Sequence, residues 1–515
     1  MMGLFTLWFR VTTFGAVPAE LNRDEAAILY NAWSLSKEGI DEWGASWPIV
    51  FRSFGDFKLG GYIYAVMSSI WVFGEHDWVV RFPSLIATVL VAGGAGVIGW
   101  WFTRSRLAAL LSLSIVLASP WQLHYGNVGF EANLALGVFL WSICSLYRSQ
   151  RHLLWYVLGV ILMVLAIFTY NTPFLLLPFV GLGLFVLRKV SFAQVSGLAV
   201  VFLVSTVLLW PAIGGKTGIS IFTDQGLELQ RQEFRTQDTS FFNRVRTNPA
   251  VYWPTMMLVN GAKHFTPNFL VLRGGPNPWH QAPSTGHLVW PIYLLSLFGI
   301  GSLIISCFKE QGVSLRRNLT ILLAIVFSLL PAVITVDAPH ATRTLVFLTL
   351  LGVLAGSVLI RLLRIPRYGF PLGGAIMILI VGYTGWYGLN YTKLMTILPQ
   401  AEWKVGYSSA LRSLPENQSV AIVGDPRYDY VHVLWVFRIP ASEFLNTVER
   451  GGENLGYPVV QSIGSRFLFV SNKDAVPSAM KSDLRTIERV DRSVRLSPAE
   501  EVVDSVAPVE QKLLQ

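Results

Sequence analysis

The sequence predicts an α-helical polytopic membrane protein of about ten or eleven transmembrane helices, followed by a small α/β domain. Of its 515 residues, 53% are hydrophobic and only 14% are charged, whereas about a quarter of a typical soluble domain is charged. Apolar runs close to the ~20 residues that cross a bilayer recur along the chain. Basic residues occur in alternate connections between those runs. These features exclude a water-soluble enzyme, a disordered protein and a fibrous protein.

Ten apolar runs are predicted to be transmembrane helices, and the N-terminal run, residues 1–17, is a possible eleventh. The ten are Phe82–Phe102, Leu107–Leu123, Ala132–Tyr147, Leu153–Tyr170, Thr172–Leu187, Phe192–Ile213, Leu288–Phe308, Leu319–Val336, Thr344–Ile360 and Tyr368–Leu389. A soluble tail of about 125 residues follows the last of these runs, and its own apolar runs are short. We therefore divide the chain into a membrane domain, residues 1–390, and a C-terminal domain, residues 391–515.

The C-terminal domain is predicted to be a small α/β unit. Its short apolar runs, Ser419–Val423, Val431–Phe437 and Arg466–Val470, are candidate strands, and a helix-like stretch lies around Glu402–Leu414. From Ser497 onward, proline and acidic residues with few large apolar side chains predict a frayed end.

Basic residues orient the predicted helices. Five alternate connections carry Arg104 and Arg106; Arg148 and Arg151; Arg188 and Lys189; Lys309, Arg316 and Arg317; and Arg361, Arg364 and Arg367. Short loops rich in Lys and Arg stay cytoplasmic, so residues 18–81, the long loop 214–287 and the C-terminal domain are expected on the outer side. The net charge of +9 is then a topological signal and indicates no nucleic-acid partner. We expect a multi-pass protein of the plasma (inner) membrane.

The first outer loop contains acids and a lysine close to the membrane. Asp24 and Glu25 follow the first membrane boundary, where they either take part in chemistry or interact with the start of a helix. Asp56 and Lys58 precede two glycines and Tyr62, at the start of an apolar run (residues 59–73) that we interpret as a helix lying at the membrane interface. Lys58 is alternatively a lysine that extends toward the membrane surface.

Further candidates lie in the other outer loops. Glu131 begins a predicted transmembrane helix, where it is either functional or a helix-start anion. His340 and Arg343 share a short turn, whose alternative role is an interfacial anchor. His264 lies near the end of the long loop, but the eight histidines show no standard metal-ligand spacing.

The candidates thus bring acids and bases to one membrane face. Transfer of a group from an anionic lipid to a hydroxyl needs a carboxylate that accepts the proton and cations that neutralise the departing phosphate. The set therefore favours a group-transfer enzyme whose site faces outward.

With these residues in this order, the chain resembles the GT-C glycosyltransferases that use polyprenyl-phosphate sugars. It is similar to the branch of the protein O-mannosyltransferases and the bacterial lipid A aminoarabinose transferases. The resemblance covers roughly residues 18–365 and rests on short motifs: Asp24-Glu25, Lys58 to Tyr62, Arg81-Phe82-Pro83-Ser84, Ser119-Pro120, Glu131, Thr169 to Pro173, and the His340/Arg343 turn.

The resemblance implies an inverting glycosyltransferase that moves a sugar from an undecaprenyl- or dolichyl-phosphate type of donor to a hydroxyl of a protein, lipid or glycan. It implies Asp24 as the general base and Glu131 as a second acid that orients the acceptor, the base or a metal. Lys58, and Arg343 with His340, would face the donor phosphate. A divalent metal is the one cofactor considered. The weaker candidates are Glu25, Asp56, Tyr62 and His264.

One departure from the family pattern bears on the site. Phe57 stands where several relatives have an acid directly before the lysine, which leaves a metal or sugar contact at that position in question.

Two other classes remain open. A transporter or flippase of lipid-linked glycans would need polar or ionisable residues inside the spans, and the predicted spans contain almost none. A non-catalytic membrane scaffold would not need Asp24, Lys58 and Glu131.

Overall fold

The computed structural model describes residues 2–215, 219–397, 403, 406–414, 418–454, 457–472, 475–476, 485–490 and 493–498. The predicted frayed end lies outside the described residues beyond Pro498. Helices dominate up to residue 397, and a sheet follows.

The first loop of the chain folds into a small subdomain between two helices of the bundle. After α1 (Met2–Thr13) come α2 (Arg23–Glu38), the hairpin β1 (Val50–Ser53) and β2 (Asp56–Leu59), and α3 (Gly61–Phe73). The helix α3 occupies most of the apolar run 59–73, as predicted, and its position at the membrane interface stays a prediction.

The bundle itself is built in two parts separated by the long loop. The first part contains α4 (Phe82–Thr103), α5 (Arg106–Ala118), α6 (Pro120–Tyr125), α7 (Glu131–Arg148), α8 (Leu153–Thr169), α9 (Asn171–Val186), α10 (Phe192–Leu208) and α11 (Trp210–Gly215). The long loop contains α12 (Gln225–Gln237), α13 (Phe241–Arg246) and α14 (Pro249–Phe265). The second part contains α15 (Trp290–Lys309), α16 (Gly312–Phe327), α17 (Leu330–Val333), α18 (Leu345–Leu363) and α19 (Gly369–Ile397).

By length and composition, five helical stretches of the described chain are long and apolar enough to cross a membrane. They are Asp77–Thr103, Trp290–Lys309, Gly312–Val333, Thr342–Leu363 and Gly369–Met395. The apolar helices α3, α5, α8, α9 and α10 are shorter, with 10–17 residues each. The structure therefore supports a polytopic helical membrane protein.

Several helices end or begin away from the predicted limits, for local reasons. The predicted span Leu107–Leu123 is divided, because α5 stops at Ala118 and Pro120 starts α6. Proline is favoured in the first turn of a helix, where its missing N–H is not needed. In contrast, α16 begins at Gly312 and includes Arg316 and Arg317 of a predicted connection, whereas Lys309 is the last residue of α15.

Close approach between helices depends on small residues. A Cβ added at Gly61 would lie 3.0 Å from the carbonyl oxygen of Phe168, so α3 can start against the end of α8 only because this residue is glycine. The central helix of the bundle is α18, which is buried from Leu345 to Ile360.

The C-terminal domain is a six-stranded sheet with flanking helices. Its elements are α20 (Tyr407–Arg412), β3 (Val420–Val423), α21 (Tyr430–Phe437), α22 (Ala441–Thr447), β4 (Val448–Asn454), β5 (Tyr457–Ile463), β6 (Phe467–Val470), β7 (Arg485–Val490) and β8 (Ser493–Pro498). The strand order is β4-β5-β6-β3-β7-β8, with β3 parallel to both neighbours.

One of the three predicted strands is wrong. The run Val431–Phe437 lies in helix α21, whereas Ser419–Val423 and Arg466–Val470 contain strands β3 and β6. The run is apolar except for His432, and residues 430–435 are all buried, so it has no period that distinguishes helix from strand.

The C-terminal domain packs directly on the first loop. Phe54 of the hairpin contacts the rings of Tyr428 and Tyr430, at centroid distances of 5.1 and 6.2 Å. The Tyr30 hydroxyl of α2 donates to the carbonyl oxygen of Ile439. The two regions share one hydrophobic core, so the first loop is enclosed between the bundle and the sheet.

Candidate functional site

The geometry of the candidate site starts from an ion pair between α2 and the hairpin. The Lys58 Nζ atom lies 2.7 Å from Asp24 Oδ1. Phe54 and Gly55, both with positive φ, form the tight two-residue turn that pairs β1 with β2 and thereby holds Lys58 beside the start of α2. The side chains of Lys58 and Asp24 remain 17% and 28% exposed, so this pair can be reached from outside the core.

Glu131 contributes a second negative charge to the same place. Burial by itself would lower the pKa of Lys58, but the charges of Asp24 and Glu131 outweigh it and raise that pKa above its ordinary value. Lys58 is therefore charged at neutral pH, and the charges of two acids, Asp24 and Glu131, act on it. Glu131 is also the first residue of α7, as its helix-start interpretation predicts.

The neighbouring acid, Glu25, has a different environment. It is fully buried and pairs with Arg81, at 2.9 Å from Arg81 Nε to Glu25 Oε1. It also accepts hydrogen bonds from the backbone N–H groups of Asn22 and Gly129. Glu25 and Asn22 form a capping box, so the helix-start interpretation is confirmed for this acid.

The second half of the site is the turn between α17 and α18. Arg343 donates to Thr335 and to the carboxylate of Asp337, and Nε2 of His340 lies 3.3 Å from Asp337 Oδ2. The ring Nε2 of His264 accepts a hydrogen bond from the backbone N–H of His340. His264 of α14 therefore holds the backbone of this turn in place.

Burial lowers the pKa of both histidines, His340 in the turn and His264 beside it. Burial lowers the pKa of His264 to about 4. Burial, reinforced by Arg343 and His264, holds the pKa of His340 well below its ordinary value. The positive charge of the turn is consequently carried by Arg343, whose side chain is 16% exposed.

Residues of the long loop connect the two halves. The ring of His280 lies 4.7 Å from the ring of His340 and 5.7 Å from that of Phe130, the residue before Glu131. A small cavity of about 10 Å³, lined among others by Ala132, Tyr170 and Thr342, lies between the start of α7 and the basic turn. The predicted acids and cations are thus brought to one region of the molecule.

Sequence reasoning missed a three-part contact beside Asp24. The guanidinium of Arg23 lies between the rings of Trp279 and Tyr428, at 4.3 and 4.1 Å from their centroids. Such cation–π contacts are favourable when the cation is partly desolvated. The position of Arg23 next to Asp24 was visible in the sequence, but nothing there indicated that the C-terminal domain supplies Tyr428.

The remaining weaker candidates occupy structural positions. The Tyr62 hydroxyl is buried and bonds to Val80 and Ser84. Asp56 lies at the hairpin turn, where its carboxylate accepts from the N–H of Phe57. Within the described residues, no three His, Cys, Asp or Glu side chains are grouped so that they could hold a metal ion.

Comparison with known proteins identifies the fold. No protein-family model and no curated protein matches the sequence. The structure is similar to the oligosaccharyltransferase of Archaeoglobus fulgidus in its apo form, with 13% identity and a TM-score of 0.52, over 84% of this chain and 62% of that one. The same enzyme with an inhibitory peptide and a dolichol-phosphate matches at 11% identity and a TM-score of 0.50, with the same coverage.

A second enzyme was also found. ArnT from Cupriavidus metallidurans bound to undecaprenyl phosphate aligns at 13% identity and a TM-score of 0.47, over 85% of this chain and 84% of that one. The likeness to the oligosaccharyltransferase extends over most of this chain, so the fold expected from the resemblance is present: the chain has the GT-C fold of membrane glycosyltransferases.

Proposed function

We propose that this protein is an inverting glycosyltransferase that moves a sugar from a polyprenyl phosphate to an acceptor hydroxyl on the outer face of the plasma (inner) membrane. The observation that carries the proposal is the accessible Asp24–Lys58 pair with Glu131 beside it. If the Asp24–Lys58 pair served only to neutralise two charges, we would expect it to be buried, as the Glu25–Arg81 pair is. The oligosaccharyltransferase with this fold was solved with a dolichol-phosphate, which agrees with a lipid-phosphate donor.

In the proposed reaction, Asp24 accepts the proton of the acceptor hydroxyl while that oxygen bonds to the anomeric carbon. The bond from this carbon to the phosphate oxygen breaks, and the polyprenyl phosphate leaves with the electron pair. Lys58 neutralises the negative charge that develops on the phosphate, and Arg343 beside the neutral His340 adds a second positive charge. Glu131 orients the acceptor or the base.

The resting ion pair has a consequence for the order of events. A carboxylate 2.7 Å from an ammonium group is a weaker base than an unpaired one, because the cation stabilises its ionised form. A donor phosphate that attracts Lys58 would weaken this pairing, so Asp24 would become a better base only after the donor is bound. The proposal therefore includes binding of the donor before deprotonation of the acceptor.

The test is transfer by the purified full chain in proteoliposomes, with a panel of undecaprenyl- and dolichyl-phosphate sugars and mass spectrometry of the products. Asp24→Asn should lower the rate by a factor of roughly 10²–10⁴, the usual contribution of a general base. Asp56→Asn is the matched control, an acid of the same loop that should change the rate less than twofold. Near-normal transfer by Asp24→Asn would remove Asp24 from the reaction.

The phosphate assignment has its own test. Lys58→Ala and Arg343→Ala should raise the KM for the donor more than that for the acceptor, because both cations are assigned to the donor phosphate. If both variants leave donor affinity and rate unchanged, that assignment is wrong. Movement of the lipid-linked sugar across the bilayer without transfer to any acceptor would support the transporter alternative. A transfer rate that falls in EDTA and recovers with Mg²⁺ or Mn²⁺ would show that the reaction needs a divalent metal.

A further inference from the structure

A groove at the other end of the bundle is unrelated to the candidate site. It has a volume of about 890 Å³, and its polar lining consists of Arg188, Arg316, Ser149, Gln150, Ser191 and Gln194. We call it the basic groove. The helix α7 begins at Glu131 in the candidate site and ends at Arg148, next to the groove. At 1.5 Å per residue, its length separates the two places by roughly 26 Å.

Two cations in the groove lack partners. Among the described residues, neither the Arg188 nor the Arg316 side chain forms an ion pair or a hydrogen bond. Their basic neighbours do have contacts: Lys189 lies over the ring of Tyr147, and Arg317 donates to Asn318. The groove lining contains no acid, so its positive potential is not cancelled locally.

The backbone also holds these groups in place. Arg188 adopts a left-handed conformation with φ of 54°, which costs free energy for any residue except glycine. Its carbonyl oxygen accepts a hydrogen bond from the Gln150 side chain, and Ser149 donates to the carbonyl oxygen of Lys189. Ser191 caps α10, so the positive end of this helix dipole also faces the groove region.

The surface next to the groove is apolar. Phe185 and Val186 line the groove and are 44% and 39% exposed, and Phe192 at the start of α10 is 74% exposed. In a membrane protein such side chains at a helix end face lipid. A ligand in the groove would thus have its anionic part at the two guanidinium groups and an apolar part along α9 and α10.

We propose that the basic groove binds the phosphate headgroup of an anionic phospholipid, with the acyl chains along α9 and α10. Guanidinium groups suit phosphate because their paired N–H donors match its oxygens. The size of the groove is within the usual range for ligand sites, about 300–1,000 Å³. The exposed apolar rim favours a lipid over a soluble phosphate. This proposal does not depend on the proposed glycosyl transfer.

The test is native mass spectrometry of the purified full chain titrated with phosphatidylglycerol or phosphatidylcholine. The wild-type protein should bind phosphatidylglycerol more tightly than phosphatidylcholine. Because one basic residue near an anionic lipid is worth roughly a fivefold change in affinity, Arg188→Gln with Arg316→Gln should weaken that binding by about 25-fold. Arg188→Lys with Arg316→Lys keeps the charges and should retain most of it.

The matched control is Arg151→Gln with Arg317→Gln, which removes the same charge from the same face but leaves the groove lining intact. This variant should change affinity for phosphatidylglycerol less than twofold. If the Arg188/Arg316 double variant does not fold, each single Gln variant should show its own fivefold loss.

Three results would overturn the proposal. They are equal binding of the two lipids by the wild type, equal losses in the groove and control variants, and displacement of phosphatidylglycerol by inorganic phosphate at equal concentration. The last would make the groove a site for a soluble anion. Transfer activity is not the readout, so a failure here leaves the proposed function unaffected.

Discussion

Two ion pairs at the start of α2 differ in almost every physical respect, although their acids are neighbours in the sequence. Glu25 and Arg81 are 0% and 2% exposed, and Glu25 receives additional hydrogen bonds from two backbone N–H groups. Asp24 and Lys58 are 28% and 17% exposed and face a third charge, Glu131. Consecutive helix residues point about 100° apart, so one acid enters the core and the other does not.

The two pairs differ in what they hold together. The Glu25–Arg81 pair joins α2 to the segment before α4. Glu25 also binds the loop at Gly129, and Arg81 also donates to the carbonyl oxygens of Pro18 and Glu20. The carboxylate of Glu25 already accepts four hydrogen bonds, from Arg81, Asn22 and Gly129. The Asp24–Lys58 pair is partly exposed, and the proposed transfer would require it to exchange partners.

The largest expected effect is on stability, from breaking the buried pair. Glu25→Gln should lower the free energy of unfolding by about 3–5 kcal/mol, because it leaves the charge of Arg81 buried without its partner. Thermal unfolding of the purified chain in detergent measures this, and Asp56→Asn is the control with an accessible acid. A stable Glu25→Gln protein that has lost only transfer would place Glu25 among the reacting groups.

A third acid of the first loop allows a test, by varying pH, of how burial of an acid affects stability. Glu42 is buried, and desolvation raises its pKa from 4.5 to about 7, although hydrogen bonds from Asn31 and Tyr430 oppose this. The folded state therefore binds a proton that the unfolded state releases, and stability falls as pH rises from about 4.5 to 7. The loss is on the order of 3 kcal/mol.

Glu42→Gln resembles the protonated acid at every pH. This variant should be more stable than the wild type at pH 8, by a few degrees in Tm, and the two should converge at pH 5. Melting curves between pH 5 and 8 are the measurement. A pH dependence that is identical in both proteins would show that Glu42 is ionised in the folded state.

Loss of the cation–π contact between Arg23 and Tyr428 should have an intermediate effect on the free energy of unfolding. Tyr428→Leu removes one of the two rings around the guanidinium and should cost about 1–2 kcal/mol, whereas Tyr428→Phe keeps the ring and should cost less than about 0.5 kcal/mol. Differential scanning fluorimetry compares the three proteins. If Phe and Leu are equally destabilising, the tyrosine hydroxyl matters and the stacked cation does not.

The smallest effect on stability is expected at the accessible pair. Asp24→Asn should change the free energy of unfolding by about 1 kcal/mol or less, because partly exposed ion pairs contribute little. Chemical denaturation of Asp24→Asn and Glu25→Gln side by side gives the sharpest form of the comparison. A loss at Asp24 as large as that at Glu25 would make both pairs structural and weaken the proposed function.

Much of the fold could be predicted from the sequence. Each predicted span of the bundle contains a helix. A long apolar run in a membrane has no water to bind its backbone N–H and C=O groups, and a helix pairs these groups within the segment. The errors are local. Pro120 divides one predicted helix, and the apolar run Val431–Phe437 is helical because a fully buried segment shows no amphipathic period.

By itself, the sequence determined that the chain is a helical membrane protein with its acids and cations gathered in particular loops. Composition and run length are local properties, and they suffice for that. Only the tertiary structure decided that Asp24 pairs with Lys58 while Glu25 is buried with Arg81. It also decided that burial lowers the pKa of His340 and that Tyr428 contacts Arg23. These outcomes depend on which distant surfaces exclude water from each group, and exclusion of water is a property of the packed molecule.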